Sequence, residues 1–193
     1  GIDYLLISHD HFDHLDKQSV GCLLKSNPQM KLFCGLGTGE LIKSWFPEIE
    51  MVEAGWYQQI MDEGLKITFL PAQHWSKRSV RDGGQRLWGA FMIQGDGMSV
   101  YYSGDTGYSQ HFSEIPELFG APDYALVGIG AYKPVRQTDF QLLRCTTFCF
   151  HRVLMRTQDS QQLSKELHRL MRRRFALWKY CISGVVGLTF IKI

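Results

Sequence analysis

Short apolar runs, bounded by polar or glycine-containing stretches, dominate the first two thirds of the chain. Runs of about four to eight apolar residues predict buried strands, and here they lie within "IDYLLIS", "MKLFCG", "EMVEAG", "LKITFLPAQH" and "PDYALVGIG". The stretch "RLWGAFMIQGDGMSVYYSGDTG" predicts a β-hairpin, because Gly95-Asp96-Gly97 stands as a turn between two apolar runs. These strands are the predicted framework of the fold.

Helices are predicted between several of these strands. Asp16 can cap a helix through about Ser26, which would carry Val20, Leu23 and Leu24 on one face. Three glycines precede a second helix over 40–46, and "HFSEIPELFG" predicts a third. Alternation of strands and helices is typical of an α/β protein with two or more layers, and we expect the 193 residues to form a single domain.

Histidines and aspartates lie where the predicted strands end. The first strand runs into "SHDHFDHLD", in which His9 and His11 are two apart and therefore point the same way in an extended segment. Asp10 and Phe12 would face the other way. Asp13 and His14 follow as the chain turns, so they can bind at a second point nearby. A protein rarely places so many metal-binding side chains together without a metal, so we interpret this stretch as half of a metal site.

His74 and Asp105 extend the set, because each follows another predicted strand. Histidine nitrogen and carboxylate oxygen suit zinc, and also manganese or iron. Two ions roughly 3.5–4 Å apart can hold a water and lower its pKa from about 15.7 toward about 7, which produces a hydroxide able to attack a phosphoryl or carbonyl centre. We find no serine or cysteine motif for a protein nucleophile.

Composition and charge bear on the binding partners and on the cellular compartment of the protein. Apolar residues make up 45% of the chain, enough for a substantial core, whereas a net charge of +2 is too near zero to indicate nucleic-acid binding. Five cysteines without a CxxC pair favour a reducing compartment. The apolar stretch "FALWKYCISGVVGLTFIKI" lacks the ~20 unbroken apolar residues of a membrane span. We expect a strand or two there, and a cytoplasmic or peripherally membrane-associated protein.

The motif "HDHFDHLD" resembles the HxHxDH signature of the metallo-β-lactamase superfamily. The resemblance extends to its N-acyl-phosphatidylethanolamine phospholipase D-like branch through "GLGTGELIKSW", "ITFLPAQHWSKR", "LWGAFMI", "VYYSGDTGYSQHFSEI" and "IGAYKP", in that order. These motifs cover 1–134, whereas 135–193 diverges. The resemblance implies a four-layer αββα sandwich and a site for two zinc ions.

The resemblance also implies roles for individual residues. His9, His11 and His74 would bind the first zinc, Asp13 and His14 the second, and Asp105 would bridge the two; Asp13 is in addition the predicted catalytic residue. The branch hydrolyses phosphodiesters of N-acylated phospholipids, so a phospholipid or a small phosphorylated or acyl compound is the expected substrate. The predicted substrate-binding residues follow the third histidine: Trp75, Lys77 and Arg78.

Two departures from the family pattern affect the site. The strands that normally precede the first histidine motif are absent, so we expect the first sheet to be incomplete. The branch has a His-Trp-Gly strand end that supplies the last zinc ligand, but this chain reads Leu177-Trp178-Lys179 there, after an amphipathic helix over about 163–171. His151 or His168 could replace that ligand, or it is lost. A shift of reading frame over about 135–176 would explain the divergence.

Three functions follow from these observations. The leading one is a zinc-dependent phosphodiesterase that acts on N-acyl-phosphatidylethanolamine-like phospholipid through a metal-bridged hydroxide. The second is a lactonase, or another metal-dependent hydrolase of a small phosphorylated or acyl substrate. The third, of a different class, is an inactive fragment whose second metal site is incomplete and which holds closer to one zinc than two.

Overall fold

The computed structural model describes residues 1–128 and, beyond them, the backbone of three strands at 147–151, 176–178 and 189–192. In chain order the elements are β1 (Tyr4–Ile7), α1 (Lys17–Ser26), β2 (Lys31–Gly35), α2 (Thr38–Trp45), β3 (Met51–Ala54), β4 (Gln59–Asp62), β5 (Leu65–Leu70), β6 (Ala90–Gly95), β7 (Met98–Tyr102), α3 (His111–Phe119), β8 (Tyr124–Gly128), β9 (Thr147–His151), β10 (Ala176–Trp178) and β11 (Thr189–Lys192).

The strands form two sheets. The first has the order β10-β11-β1-β2-β3, in which β1, β2 and β3 are parallel and β11 pairs antiparallel with β1. The second has the order β4-β5-β6-β7-β8-β9, antiparallel from β4 to β7 and parallel from β7 to β9. Because β5 and β7 lie on either side of the antiparallel β6, their carboxyl ends reach the same edge of the sheet.

Alternating side chains of β1 serve two different cores. Tyr4 and Leu6 join the core between the sheets, which is completed by aromatic and branched residues such as Phe69 and Phe91. Leu5 and Ile7 point to the opposite face, where α1 and α2 pack. Alternation with a period of two is the geometry of a strand, and both faces are apolar here because both are covered.

The second sheet is likewise covered on its outer face. Phe112 and Ile115 of α3 pack there against Tyr101 and Ala125, so α3 forms a fourth layer. The layers are therefore helix, sheet, sheet and helix, which confirms the predicted αββα sandwich. Within the described residues, no helix combines the length and the apolar character that crossing a membrane requires.

The structure contains the predicted helix cap, the predicted hairpin turn and the predicted helix after the glycines. Asp16 caps α1, and its Oδ2 accepts a hydrogen bond of 2.7 Å from the Ser19 amide. Asp96 and Gly97 both have positive φ, +50° and +70°, as a two-residue hairpin turn requires. Helix α2 starts at Thr38, two residues before the predicted start, because Gly37 adopts a left-handed conformation directly before it.

Two strands were not predicted. Strand β4 is an edge strand whose side chains alternate between exposed and half-buried, so it lacks the apolar run that marks the other strands. Strand β9 lies in the divergent part of the chain and pairs in parallel with β8. The expected strands near the C-terminus are present as β10 and β11, whereas the predicted helix over about 163–171 lies outside the described residues.

Candidate metal centre

Three loops meet at one edge of the sandwich. They follow β1, β5 and β7, and they carry all six predicted metal ligands. The Gly89 amide donates a hydrogen bond of 2.8 Å to the Ser8 carbonyl, which joins the two sheets at this edge. The loop after β5 is linked to the loop after β7 in the same way, since the Gly107 amide donates to the Gln73 carbonyl at 2.9 Å.

Three histidine nitrogens converge on one point. Nε2 of His9 lies 3.0 Å from Nδ1 of His11, and Nε2 of His74 lies 3.1 Å from the former and 3.2 Å from the latter. Ligand atoms around a tetrahedral ion with bonds of about 2.0–2.1 Å are separated by about 3.3 Å. The triangle of nitrogens therefore matches the spacing that one ion with three histidine ligands requires.

A second group shares His9 and includes His14 and Asp105. The side chain of His14 is completely buried, and neither of its ring nitrogens has a hydrogen-bond partner among the described residues. Its Nε2 lies 3.1 Å from Oδ2 of Asp105 without the geometry of a hydrogen bond. Oδ2 of Asp13 lies 3.6 Å from the same nitrogen, and the Asp13 side chain is 40% exposed. A buried nitrogen that faces carboxylates in this way is suited to a cation.

Burial favours the neutral form of two histidines of the first group. It lowers the pKa of His74 to about 4, and it also lowers the pKa of His11, in both cases against the opposing effect of nearby carboxylates. A neutral imidazole is the form that binds a metal. Ser8 Oγ lies 3.0 Å from Nδ1 of His9, which fixes that ring with Nε2 toward the cluster. The residues present thus fit a metal with nitrogen and oxygen ligands.

Close backbone contact brings the Asp105 loop against the first histidine loop. Gly104 has a φ of +58°, and a Cβ at this position would lie 2.6 Å from Cβ and 2.9 Å from Oγ of Ser8. Only glycine combines that conformation with that contact. This glycine therefore allows the Asp105 carboxylate to reach the histidines.

The three predicted substrate-binding residues occupy different positions. Trp75 is 59% exposed and its ring centroid lies 4.4 Å from that of His74 and 5.5 Å from that of His11, so it borders the metal centre. Lys77 is exposed. Arg78 instead donates through Nη1 to the Asp10 and Leu15 carbonyls, at 2.7 Å and 2.6 Å. Its guanidinium is therefore engaged with the backbone of the histidine loop.

Several residues around the site were not predicted. Arg86 forms two ion pairs there: one with the buried Asp10, which joins two of the loops, and one with the half-buried Asp82 of its own loop. Thr106 accepts a hydrogen bond from the Gln73 amide at 2.9 Å and lies 3.3 Å from Nε2 of His111. The alternation rule did predict that Asp10 faces away from the histidines, but its arginine partner is 76 residues away in sequence. No local pattern could have identified that pair.

The two expected replacements for the last ligand lie beyond residue 128. His151 ends β9, and its backbone is in register with Gly128, whose amide donates to Oγ of Ser103, two residues before Asp105. His168 lies outside the described residues. The Leu177-Trp178 pair belongs to β10, at an edge of the first sheet, and Trp178 pairs with Phe190.

Fold and site together define a class. Two facing sheets between helix layers, with a histidine and aspartate cluster at the strand ends, are the architecture of a metallo-β-lactamase-type protein with a metal centre. The family model described as "Beta-lactamase superfamily domain" matches residues 1–174. This chain belongs to that family, the metallo-β-lactamase superfamily of metal-dependent hydrolases. The match extends beyond residue 134, where the motifs of the phospholipase D-like branch end.

Two relatives are similar to this chain in sequence. The chain is 35% identical over 142 residues to N-acyl-phosphatidylethanolamine-hydrolyzing phospholipase D 1 of Caenorhabditis elegans, covering 69% of this chain and 40% of the relative. It is 30% identical over 131 residues to a metal-dependent hydrolase of Sulfurisphaera tokodaii, covering 67% and 53%. The chain thus spans about half or less of the length of these relatives.

A solved structure shows the same fold. The metallo hydrolase Igni18 of Ignicoccus hospitalis superposes with a TM-score of 0.63 and 20% identity, covering 99% of this chain and 80% of that one. At this identity the likeness concerns the fold. It agrees with the prediction of a metallo-β-lactamase-type sandwich.

Proposed function

We propose that this chain is the catalytic part of a zinc-dependent phosphodiesterase that acts on N-acyl-phosphatidylethanolamine-like phospholipid. The convergence of His9, His11 and His74 nitrogens within 3.0–3.2 Å carries the proposal. Such a cluster at the strand ends of this fold is suited to binding a metal that takes part in hydrolysis. Zinc is the favoured ion because three imidazoles with a position left over form a common catalytic zinc site.

The residues divide between two ion positions. His9, His11 and His74 would hold the first ion, while Asp13, His14 and Asp105 would supply ligands to a second. Zinc bound at such a site provides a Lewis acid and lowers the pKa of a bound water. The chain's own contribution is to exclude solvent, since His9 and His14 are buried. Asp13, whose side chain is 40% exposed and lies close to His14, is placed to exchange a proton with solvent.

The substrate class is supported by what borders the histidines. Trp75 is 59% exposed and its ring lies beside those of His74 and His11, so the site is bordered by apolar surface, and the exposed Lys77 follows Trp75 two positions along the chain. A phospholipid offers an apolar chain and an anionic phosphodiester, which match these two features. The relative of Caenorhabditis elegans carries this activity in its name. Peripheral contact with a membrane surface follows from such a substrate.

The experiment combines metal analysis with three substrates. The purified chain is expected to hold closer to one zinc than two, because Leu177-Trp178-Lys179 stands where a histidine ligand is expected, and to hydrolyse N-acyl-phosphatidylethanolamine in vesicles and bis(p-nitrophenyl) phosphate. Hydrolysis of a lactone without the phosphodiesters would favour the second candidate. Zinc binding without any hydrolysis would indicate an inactive domain. Absence of zinc would refute the metal site itself.

A further inference from the structure

Asp10 is a fully buried carboxylate that lies between two metal-binding residues. Its side chain is 0% exposed, Oδ1 accepts a hydrogen bond of 2.9 Å from the Lys77 amide, and Oδ2 accepts one of 2.9 Å from Nη1 of Arg86. Burying a charge is costly unless it is paired and hydrogen-bonded. Both oxygens of Asp10 have such a partner.

These contacts join the two loops that carry the three converging histidines. Asp10 stands between His9 and His11, whereas Lys77 and Arg86 belong to the loop that follows His74. The side chain does not need to touch an imidazole in order to act on the cluster. By linking the loops, it fixes the distance between the first pair of histidines and the third.

Arg86 is shared with a second carboxylate, Asp82, which lies 2.8 Å from the same Nη1. Oδ1 of Asp82 accepts from the amides of Arg78 and Ser79, at 3.0 Å and 2.6 Å. All of these partners belong to one loop. Asp82 therefore stabilises its own loop, whereas Asp10 connects that loop to the histidine loop after β1. Only Asp10 makes a contact between the two loops.

We propose that Asp10, through Arg86, is a positioning residue that sets the metal affinity of the three-histidine site. The three nitrogens lie 3.0–3.2 Å from one another, and they belong to the two loops that Asp10 joins. A contact that holds the loops in this arrangement lowers the free-energy cost of bringing the three histidines together when a metal binds. The inference rests on the metal site proposed above.

The test compares Asp10→Asn with Asp82→Asn in the 193-residue chain. Both variants lose a carboxylate partner of Arg86, but only the first loses a contact between the loops. Co²⁺ is the probe; its dissociation constant is measured by competition with a chelator, and its visible absorption reports the geometry of the histidine ligands. We expect Asp10→Asn to bind Co²⁺ about 10–100-fold more weakly, with an altered spectrum, as when partners outside the ligand set are removed at other metal sites. Asp82→Asn should keep the wild-type spectrum and affinity within about threefold.

A second variant covers the case in which Asp10→Asn does not fold. Arg86→Lys keeps the charge on a side chain that is 18% exposed but changes the geometry of its contact, so its affinity should fall between those of wild type and Asp10→Asn. Circular dichroism and the free energy of unfolding of the metal-free proteins separate folding from binding. Equal losses of affinity in Asp10→Asn and Asp82→Asn, or unchanged affinity in both Asp10→Asn and Arg86→Lys, would overturn the proposal. A wild-type chain that binds no Co²⁺ would refute both the metal site and the positioning role of Asp10.

Discussion

Nε2 of His74 lies 3.1 Å from Nε2 of His9, although the two residues are 65 positions apart and belong to loops of different sheets. With Nδ1 of His11 they form a triangle that one ion can occupy. The chain keeps these polar rings together by connecting the loops around them, through Ser8 and Gly89, Gln73 and Gly107, and the buried carboxylate of Asp10.

His11→Ala should remove most of the bound metal. The substitution deletes one of three ligands and leaves His9 and His74 with too few partners to retain the ion through dialysis. Zinc content by mass spectrometry should fall below about a tenth of the wild-type value, a loss of at least about 1.4 kcal/mol in binding free energy. His111→Ala is the matched control, since His111 belongs to neither ligand group, and it should keep its zinc. Equal zinc in wild type and His11→Ala would contradict the assignment.

Gly104→Ala should destabilise the fold more than Gly97→Ala. Both glycines have positive φ, so each substitution strains the backbone by roughly 1–3 kcal/mol. A Cβ at Gly97 meets nothing within 4 Å, whereas at Gly104 it would lie 2.6 Å from Cβ of Ser8. Overpacking should add roughly 1–3 kcal/mol at Gly104, measured as the free energy of unfolding in urea. Gly104→Ala should also bind zinc more weakly, since Asp105 must move. Similar free energies of unfolding for the two variants would show that the contact with Ser8 is unimportant.

Asp62 should make stability depend on pH in the acid range. Burial would raise its pKa, but hydrogen bonds from Lys31 and Tyr4, at 2.9 Å and 2.7 Å, outweigh that effect and hold the pKa below its ordinary value. A depressed pKa in the folded state contributes stability above the unfolded value of about 3.9, and that stability is lost as the pH falls through the folded pKa.

Asp62→Asn should therefore be less stable than wild type at pH 7, by about 1–2 kcal/mol, and the difference should shrink as the pH falls below about 4. Denaturation of the two proteins at a series of pH values measures this. Asp96→Asn, in the hairpin turn, is the control for the general effect of removing one carboxylate. A difference between wild type and Asp62→Asn that is the same at pH 7 and pH 3 would mean that the Lys31 contact contributes little.

Trp75→Ala should weaken the binding of a lipid substrate and spare a small one. The ring is 59% exposed and contacts His74, so a bound acyl chain could cover it. Loss of that apolar area should raise KM for N-acyl-phosphatidylethanolamine about tenfold, with kcat for bis(p-nitrophenyl) phosphate and zinc content nearly unchanged. Val80→Ala, on the same loop and 89% exposed, is the control. An equal loss for both substrates would indicate that Trp75 supports the histidines instead.

The strand framework could be predicted because each element carries its own local signal. Leu5, Leu6 and Ile7 are apolar in succession since both faces of β1 are covered, and Asp16 and Asp96 mark a helix start and a turn through backbone chemistry. Strand β4 could not be predicted in this way. It lies at an edge with one exposed face, so burial imposes no pattern on its sequence.

For the metal centre, the sequence alone determined which residues are chemically suited. His9 and His11 lie at the same strand end, and because they are two residues apart in an extended segment, both rings point to the same side. Only the tertiary structure decided that Nε2 of His74 meets them, that the side chain of His14 is buried, and that Asp10 pairs with Arg86. The physical reason is that a local pattern reports burial and backbone conformation, whereas contacts between loops depend on how two sheets pack. That packing is a property of the whole core.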